Sequence, residues 1–352
     1  MKFLIVAAKT GGHVFPAAVI AESLVKKNHK IIFLGTGAEI EKNAYKDVES
    51  KTYDISMEGF RGSNLINKLK VLYQTFINIF KVMKIIKENK IDSMIGFGGF
   101  VSVPAGIACW IKGKPIFLHE QNAVLGSANK LLSRISKINF VGFPIEGIKK
   151  SILSGNPIRD HFKENSEDDI KINHKEIRIY ITGGSQGAEY INTTVPLIFK
   201  DMPYDIKIKH QCGKNKLIKV KELYEFNNIN AEVNEFYKYP NEQILWSDFV
   251  ISRAGAISLS EITSLRRGVV MIPLPTSIDN HQLKNARSIE EINMGVLHEQ
   301  KEHISHLNKK IDNIINNKIF NNWKIIKNTV HSSSSKIIIK NIEEFFKNNE
   351  VI

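Results

Sequence analysis

The sequence predicts an α/β protein of two Rossmann-like, doubly wound parallel-sheet domains that face each other across a cleft. Both halves open alike. Phe3-Leu4-Ile5-Val6-Ala7-Ala8 leads into Lys9-Thr10-Gly11-Gly12-His13 and a helix opened by Pro16. Ile177-Arg178-Ile179-Tyr180-Ile181 leads into Thr182-Gly183-Gly184-Ser185-Gln186-Gly187-Ala188 and a helix over 190–199. After each opening, strand and helix patterns alternate, as in a parallel sheet with helical crossovers. Size agrees: 352 residues, 43% of them hydrophobic, can fill two ordinary cores.

In chain order, 30–34 alternates and stops at Gly35, a second strand, and 53–57 is a weaker one. The loop 58–63 precedes a long helix over 68–88, with Leu69, Leu72, Phe76, Ile79, Phe80, Met83 and Ile86 at helical spacing. A strand at 91–95 enters a third glycine turn, 96–100, and a helix with Pro104 near its start. The strand 115–118 ends in His119-Glu120-Gln121-Asn122, and 139–141 is the next strand. Gly155-Asn156-Pro157-Ile158-Arg159 closes the first half, and the polar stretch 164–175 reads as a linker. The domains are placed at 1–162 and 163–332. Strands of the second half fall at 177–182, 206–211, 231–234, 248–252 and 269–273. The terminal helix, within 333–352, is compatible with either domain, including a return to the first.

The chain carries a net charge of +13. That excess suits a nucleic-acid surface, an anionic membrane, or a composition rich in Lys, Ile and Asn throughout. No helix-turn-helix, zinc or RNA-binding signature supports the first. Two cysteines, Cys109 and Cys212, are too few for a disulfide framework, and no Cys/His cluster has metal-ligand spacing. The N-terminus does not read as a signal peptide, and no apolar run is long enough to span a bilayer. A cytoplasmic setting is expected.

In sheets of this kind ligands lie beyond the carboxyl ends of the strands, where the glycine turns, 119–122 and 252–261 all fall. Glycines let the main chain approach a phosphate, and first-turn N–H groups point at it. Ser185 adds a hydroxyl donor. Ala256, Ile257, Ser258, Leu259 and Ser260 follow a strand end and offer N–H groups to a diphosphate, with Glu261 suited to two ribose hydroxyls. The spacing of Ser258 and Glu261 is equally that of a capping box. Asp279-Asn280-His281-Gln282 suits sugar hydroxyls or is an ordinary polar loop. His13 is placed to act as a general base near neutral pH, or to bind a carbonyl or phosphate.

Together these residues resemble the bacterial peptidoglycan glycosyltransferase family MurG. The matching stretches are 10–16, Gly98-Gly99, His119-Glu120-Gln121-Asn122, 155–159, Gly183-Gly184-Ser185-Gln186-Gly187-Ala188, and Gly255-Ala256 through Ser260-Glu261, in the family's order. The resemblance implies the two-domain GT-B fold. It implies inverting transfer of N-acetylglucosamine from UDP-N-acetylglucosamine to the muramyl sugar of lipid I, giving lipid II, with no cofactor and no metal. It implies work at the cytoplasmic face of the plasma membrane. The carried-over binding residues are Thr10, Gly11, Gly12, Asn122, Arg159, Ser185, 256–261 and Gln282, with Tyr237 where the family meets uracil through its backbone. Four departures stand out: Lys9 for glycine, Phe100 for tyrosine, one extra residue in Leu265-Arg266-Arg267-Gly268, and His281 for glutamine.

The expected chemistry is direct displacement, with the acceptor hydroxyl attacking the anomeric carbon as UDP leaves. His13 is the first choice of base and Glu120 the second. The rivals are another UDP-sugar enzyme on the same fold, such as a UDP-N-acetylglucosamine 2-epimerase, and a basic nucleic-acid-binding protein. The anionic membrane surface is expected to meet Leu65, Ile66 and Leu69, ringed by Lys68, Lys70, Lys81, Lys84, Lys87 and Lys90.

Overall fold

The computed structural model describes residues 1–8, 10–57, 65–163, 175–327 and 330–350, the side chains of 65–68, 349 and 350 excepted. The chain forms two compact units, Met1–Arg159 with Val330–Ile352, and Asp160–Thr329. The division falls three residues before the sequence-derived boundary, and the proposed linker at 164–175 lies, except for Lys175, outside the described residues.

The first unit runs β1 (Lys2–Val6), α1 (Gly11–Val25), β2 (Lys30–Gly35), α2 (Glu39–Tyr45), β3 (Lys51–Asp54), α3 (Leu65–Asn89), β4 (Ser93–Gly96), α4 (Ser102–Ile111), β5 (Ile116–Glu120), α5 (Ser127–Leu132), β6 (Ile138–Val141) and β7 (Ser151–Leu153). Its seven strands lie in the order β3-β2-β1-β4-β5-β6-β7, and every pair is parallel. The inner strands are buried on both faces, which is why they read as continuous Ile, Leu, Val and Phe rather than as an alternation.

The second unit runs β8 (Ile177–Thr182), α6 (Glu189–Thr194), β9 (Ile206–Gln211), α7 (Leu217–Phe226), β10 (Ala231–Asn234), α8 (Pro240–Trp246), β11 (Phe249–Ser252), α9 (Ala256–Ser264), β12 (Gly268–Met271), α10 (His281–Glu291), β13 (Gly295–Leu297), α11 (Ile304–Asn316) and α12 (Ile319–Ile325). Its sheet order is β10-β9-β8-β11-β12-β13, again parallel throughout.

The last helix, α13 (Ser334–Glu350), belongs to the first unit. Ile338, Ile339 and Ile342 are buried in the core that also holds Phe3, Ile5 and Phe117. Phe345 and Phe346 meet the Phe117 ring edge-on, and Lys27 Nζ lies 2.8 Å from the Glu343 carboxylate.

Several expectations change. The first helix starts at Gly11, not Pro16, because the glycine turn is itself its first turn and Pro16 sits inside it. The helix after the second glycine turn stops being α-helical at Thr194 and tightens to 3₁₀ over Val195–Phe199. Pro196 has no N–H to continue the α pattern there. The weak strand at 53–57 pairs at Lys51–Asp54 instead, its side chains largely exposed. Strands β7 and β13 are three-residue edge strands with no apolar pattern to betray them. The apolar residues of α3 divide between two faces. Val71, Val82, Ile85 and Ile86 face the core, whereas Leu69, Leu72, Phe76 and Phe80 are exposed.

Candidate functional site

In the first unit β1 and β4 are neighbours although β2 and β3 lie between them in sequence. The turns after β1 and β4 therefore sit side by side at a topological switch point, the usual crevice of such sheets. Thr10, extended, is the N-cap of α1, and its Oγ1 lies 3.0 Å from His13 Nδ1. The imidazole rests on the second turn. A methyl group on Gly98 would stand 3.3 Å from His13 Nε2 and 3.5 Å from Asn129 Nδ2. Gly98 and Gly99 both have positive φ, 92° and 77°, so glycine is needed there for conformation as well as for space.

Glu120 is the last residue of β5 and is buried. Its Oε1 accepts from the main-chain N–H of Asn122 (3.1 Å) and from its Nδ2 (3.2 Å). Its Oε2 accepts from Gly126 N (3.0 Å) and Asn129 Nδ2 (2.9 Å). The carboxylate thus shapes the whole 122–129 loop, and Asn129 Nδ2 lies beside the Gly98 turn, 3.5 Å from where a Cβ on Gly98 would stand. Asn129 and Gly126 were not singled out from the sequence, and neither has a motif to announce it.

Behind the loop, His119 is fully buried, with Nε2 3.0 Å from the Gly155 carbonyl and Nδ1 3.0 Å from Gln121 Nε2. Burial drives its pKa down to about 4. His331 Nδ1 accepts from Asn156 N (2.9 Å), and burial, aided by His119, holds it down to about 3. Asn156 Nδ2 donates to the Gln121 carbonyl at 3.0 Å. Gly155 has φ of 72°, and a side chain there would strike the Val330 carbonyl at 2.5 Å. The 155–159 motif is therefore a seat for the chain returning into α13. Arg159 at its end stacks its guanidinium 5.4 Å over the Phe15 ring of α1.

In the second unit β8 and β11 form the corresponding switch point, and Thr182 and Ser252 stand in register at their ends. The 183–188 turn is packed from below. A Cβ on Gly183 would lie 2.2 Å from Ala188 N, and one on Gly187 1.9 Å from the Cys212 carbonyl, whereas Gly184 (φ 81°) faces open space. Ser185 is exposed at the tip.

Across the switch point α9 begins at Ala256 with Gly255 as its extended N-cap. Ser258 is the third helical residue, so it is not a cap and the capping-box reading fails. The first-turn N–H groups of Ala256, Ile257 and Ser258 lack partners within the helix. Leu259 already donates its N–H to the Gly255 carbonyl and its side chain is fully buried. Ser260 is likewise buried, its Oγ bonded to the Ala256 carbonyl at 2.8 Å. Glu261 lies one turn behind Ile257 and Ser258 on the same face and is buried. Arg253 is drawn away from the crevice, its Nη1 donating to the carbonyls of Ile272 (2.9 Å) and Pro273 (3.2 Å) and to Gln300. Gln282 Oε1 accepts from Leu274 N at 2.9 Å. Tyr237 is buried edge-on to Tyr180, and its hydroxyl donates to Glu232 Oε1 at 2.9 Å.

Residues 3–141 match the glycosyltransferase family 28 N-terminal domain and residues 178–342 the family 28 C-terminal domain. A UDP-N-acetylglucosamine–N-acetylmuramyl-(pentapeptide) pyrophosphoryl-undecaprenol N-acetylglucosamine transferase from Haemophilus influenzae is 33% identical over 303 residues, 86% of each chain. The crystal structure of MurG from Acinetobacter baumannii superposes with a TM-score of 0.83 at 28% identity, covering 97% of this chain and 99% of that one. A UDP-N-acetylglucosamine 2-epimerase from Neisseria meningitidis shares the fold alone, with a TM-score of 0.68 at 16% identity over 98% of this chain and all of that one. With both family 28 domains in place and a third of its residues shared along most of its length with such a relative, the chain belongs to the MurG family of glycosyltransferases.

Proposed function

We propose that the protein transfers N-acetylglucosamine from UDP-N-acetylglucosamine to the muramyl sugar of lipid I, with inversion, forming lipid II for peptidoglycan. One observation carries the reading beyond kinship. Each unit presents its glycine turn and a second turn at the switch point of its own sheet, one pair suited to an anion, the other to a base.

The second unit is the donor side. The N–H groups of Ala256, Ile257 and Ser258 and the 183–188 turn take the charge that grows on the departing diphosphate. Ser185 adds its hydroxyl, Glu261 accepts from the ribose, Gln282 meets the sugar, and Tyr237 contributes main chain to the base. The first unit is the acceptor side. His13 removes the proton of the attacking hydroxyl, with Thr10 on its Nδ1 fixing the ring. Glu120, spent on four hydrogen bonds, holds Asn122 rather than acting as the base. Gly11, Gly12 and Arg159 complete that crevice.

The lipid-linked acceptor brings the protein to the cytoplasmic face of the bacterial inner membrane as a peripheral partner of anionic lipid. Among the described residues no helix is long and apolar enough to cross a membrane. Leu69, Leu72, Tyr73, Phe76, Ile77 and Phe80 follow one face of α3 and are 41–65% exposed. Trp110 on α4, which packs along α3, is exposed as well. Lys70, Lys81, Lys84 and Lys87 accompany the stripe. Leu65, Ile66 and Lys68, named for this surface from the sequence, have side chains outside the described residues. No nucleic acid enters this reading. The test is UDP release from UDP-N-acetylglucosamine with and without a soluble lipid I analogue. Release that depends on the acceptor supports the assignment, and release indifferent to it contradicts it.

A further inference from the structure

Gln211 ends β9, beside the glycine turn of β8, and is buried. Its amide bridges two segments that are distant in sequence. Oε1 accepts from the main-chain N–H of Tyr237 at 3.1 Å, with the Tyr180 hydroxyl at 3.5 Å. Nε2 donates to the Gly184 carbonyl at 3.1 Å and to Thr182 Oγ1 at 3.3 Å. Thr182 Oγ1 in turn accepts from Gly184 N at 3.0 Å.

No peptide bond described is cis, so each carbonyl points opposite to the N–H that follows it. Fixing the Gly184 carbonyl on Gln211 therefore turns the Ser185 N–H outward, toward the anion-facing side of the turn. Fixing the Tyr237 N–H likewise turns the Phe236 carbonyl outward. The Gly184 carbonyl also accepts from Gly187 N at 3.0 Å within the turn, so Gln211 adds a second bond to that oxygen and ties it to the main chain at Tyr237. Only one orientation of the amide serves both ends, because a flip would set N–H against N–H and oxygen against oxygen.

We propose that Gln211 is a positioning residue of the donor site, locking the anion-facing peptide of the 183–188 turn and the main chain at 236–237 into one geometry. The proposal rests on the reading of this unit as the UDP-sugar side. Gln211 touches no substrate; it acts through Ser185 and Tyr237.

Two variants test it. Gln211→Glu keeps an acceptor for Tyr237 but sets an oxygen against the Gly184 carbonyl and adds a negative charge behind the diphosphate turn. Gln211→Met keeps the shape and removes both bonds. Both should raise the donor KM and the UDP dissociation constant about 10- to 100-fold, the glutamate more, while the acceptor KM stays within about twofold. A folded variant that binds UDP as tightly as the parent overturns the proposal, as does one whose acceptor KM rises as much as its donor KM. UDP titration of the parent keeps the two claims apart. A parent that does not bind UDP sinks the donor-site reading, whereas a parent and variants that bind equally sink only the role of Gln211.

Discussion

At the scale of single residues, the chemistry turns on how few groups are left over once local structure is satisfied. In the sequence His13 is the first choice of base and Glu120 the second. Glu120 accepts four hydrogen bonds that hold the 122–129 loop, and His13 has Thr10 at its Nδ1 and the Gly98 turn beside its ring, which supports the proposal of His13 as the base. His13→Ala should lower kcat by about 10²–10⁴ and leave UDP-N-acetylglucosamine binding intact. Near-parental turnover in that variant would return the role to Glu120. Buried His119 and His331 behind the loop set a pH limit. Their folded pKa values, about 4 and about 3, lie below the unfolded value, so the unfolded chain binds protons first as pH falls. Their contribution is whole above about pH 6.5 and drains at up to about 1.4 kcal/mol per pH unit for each as the pH falls toward the folded values. Thermal melts from pH 7 to pH 4 should show a steady loss that flattens in His331→Asn if that variant keeps the Asn156 contact; parallel slopes in parent and variant would contradict this.

At the scale of elements, β1, β4, β5, β8 and β11 were legible because strands buried on both faces are written as apolar runs. The partly exposed strands at 206–211 and 231–234 also fall where the residues placed them, each with alternating apolar and polar residues. Edge strands β7 and β13 were not legible, since three half-exposed residues carry no pattern. Helix starts were misjudged wherever glycine could itself be helical or a cap, as at Gly11 and Gly255, because glycine's permissiveness hides which conformation it takes. Gln211 and Asn129 were missed for a different reason: their importance lies in partners 26 and 9 residues away. Helix α3 shows the limit of periodicity. It is apolar on two faces, and spacing alone cannot say which one meets the core. Replacing Leu72, Phe76 and Phe80 by serine should weaken binding to anionic vesicles and spare turnover of a water-soluble acceptor. Undiminished vesicle binding would place the docking surface elsewhere.

At the scale of the whole molecule, two units of different length share one plan, a parallel sheet whose strand order reverses at the strand that opens the unit. The net charge of +13 acquires meaning only where it is local, as beside the exposed stripe of α3. Fold likeness does not choose among UDP-sugar chemistries, since an epimerase shares the architecture. The choice rests on kinship over both units, and the product tests it. The most direct measurement is the proton NMR spectrum of what the purified protein makes from UDP-N-acetylglucosamine and a soluble lipid I analogue. A new β-linked N-acetylglucosamine on the muramyl sugar, with the large H1–H2 coupling of that anomer, is the predicted result; an α-linked product, or N-acetylmannosamine formed without need of the acceptor, would contradict it.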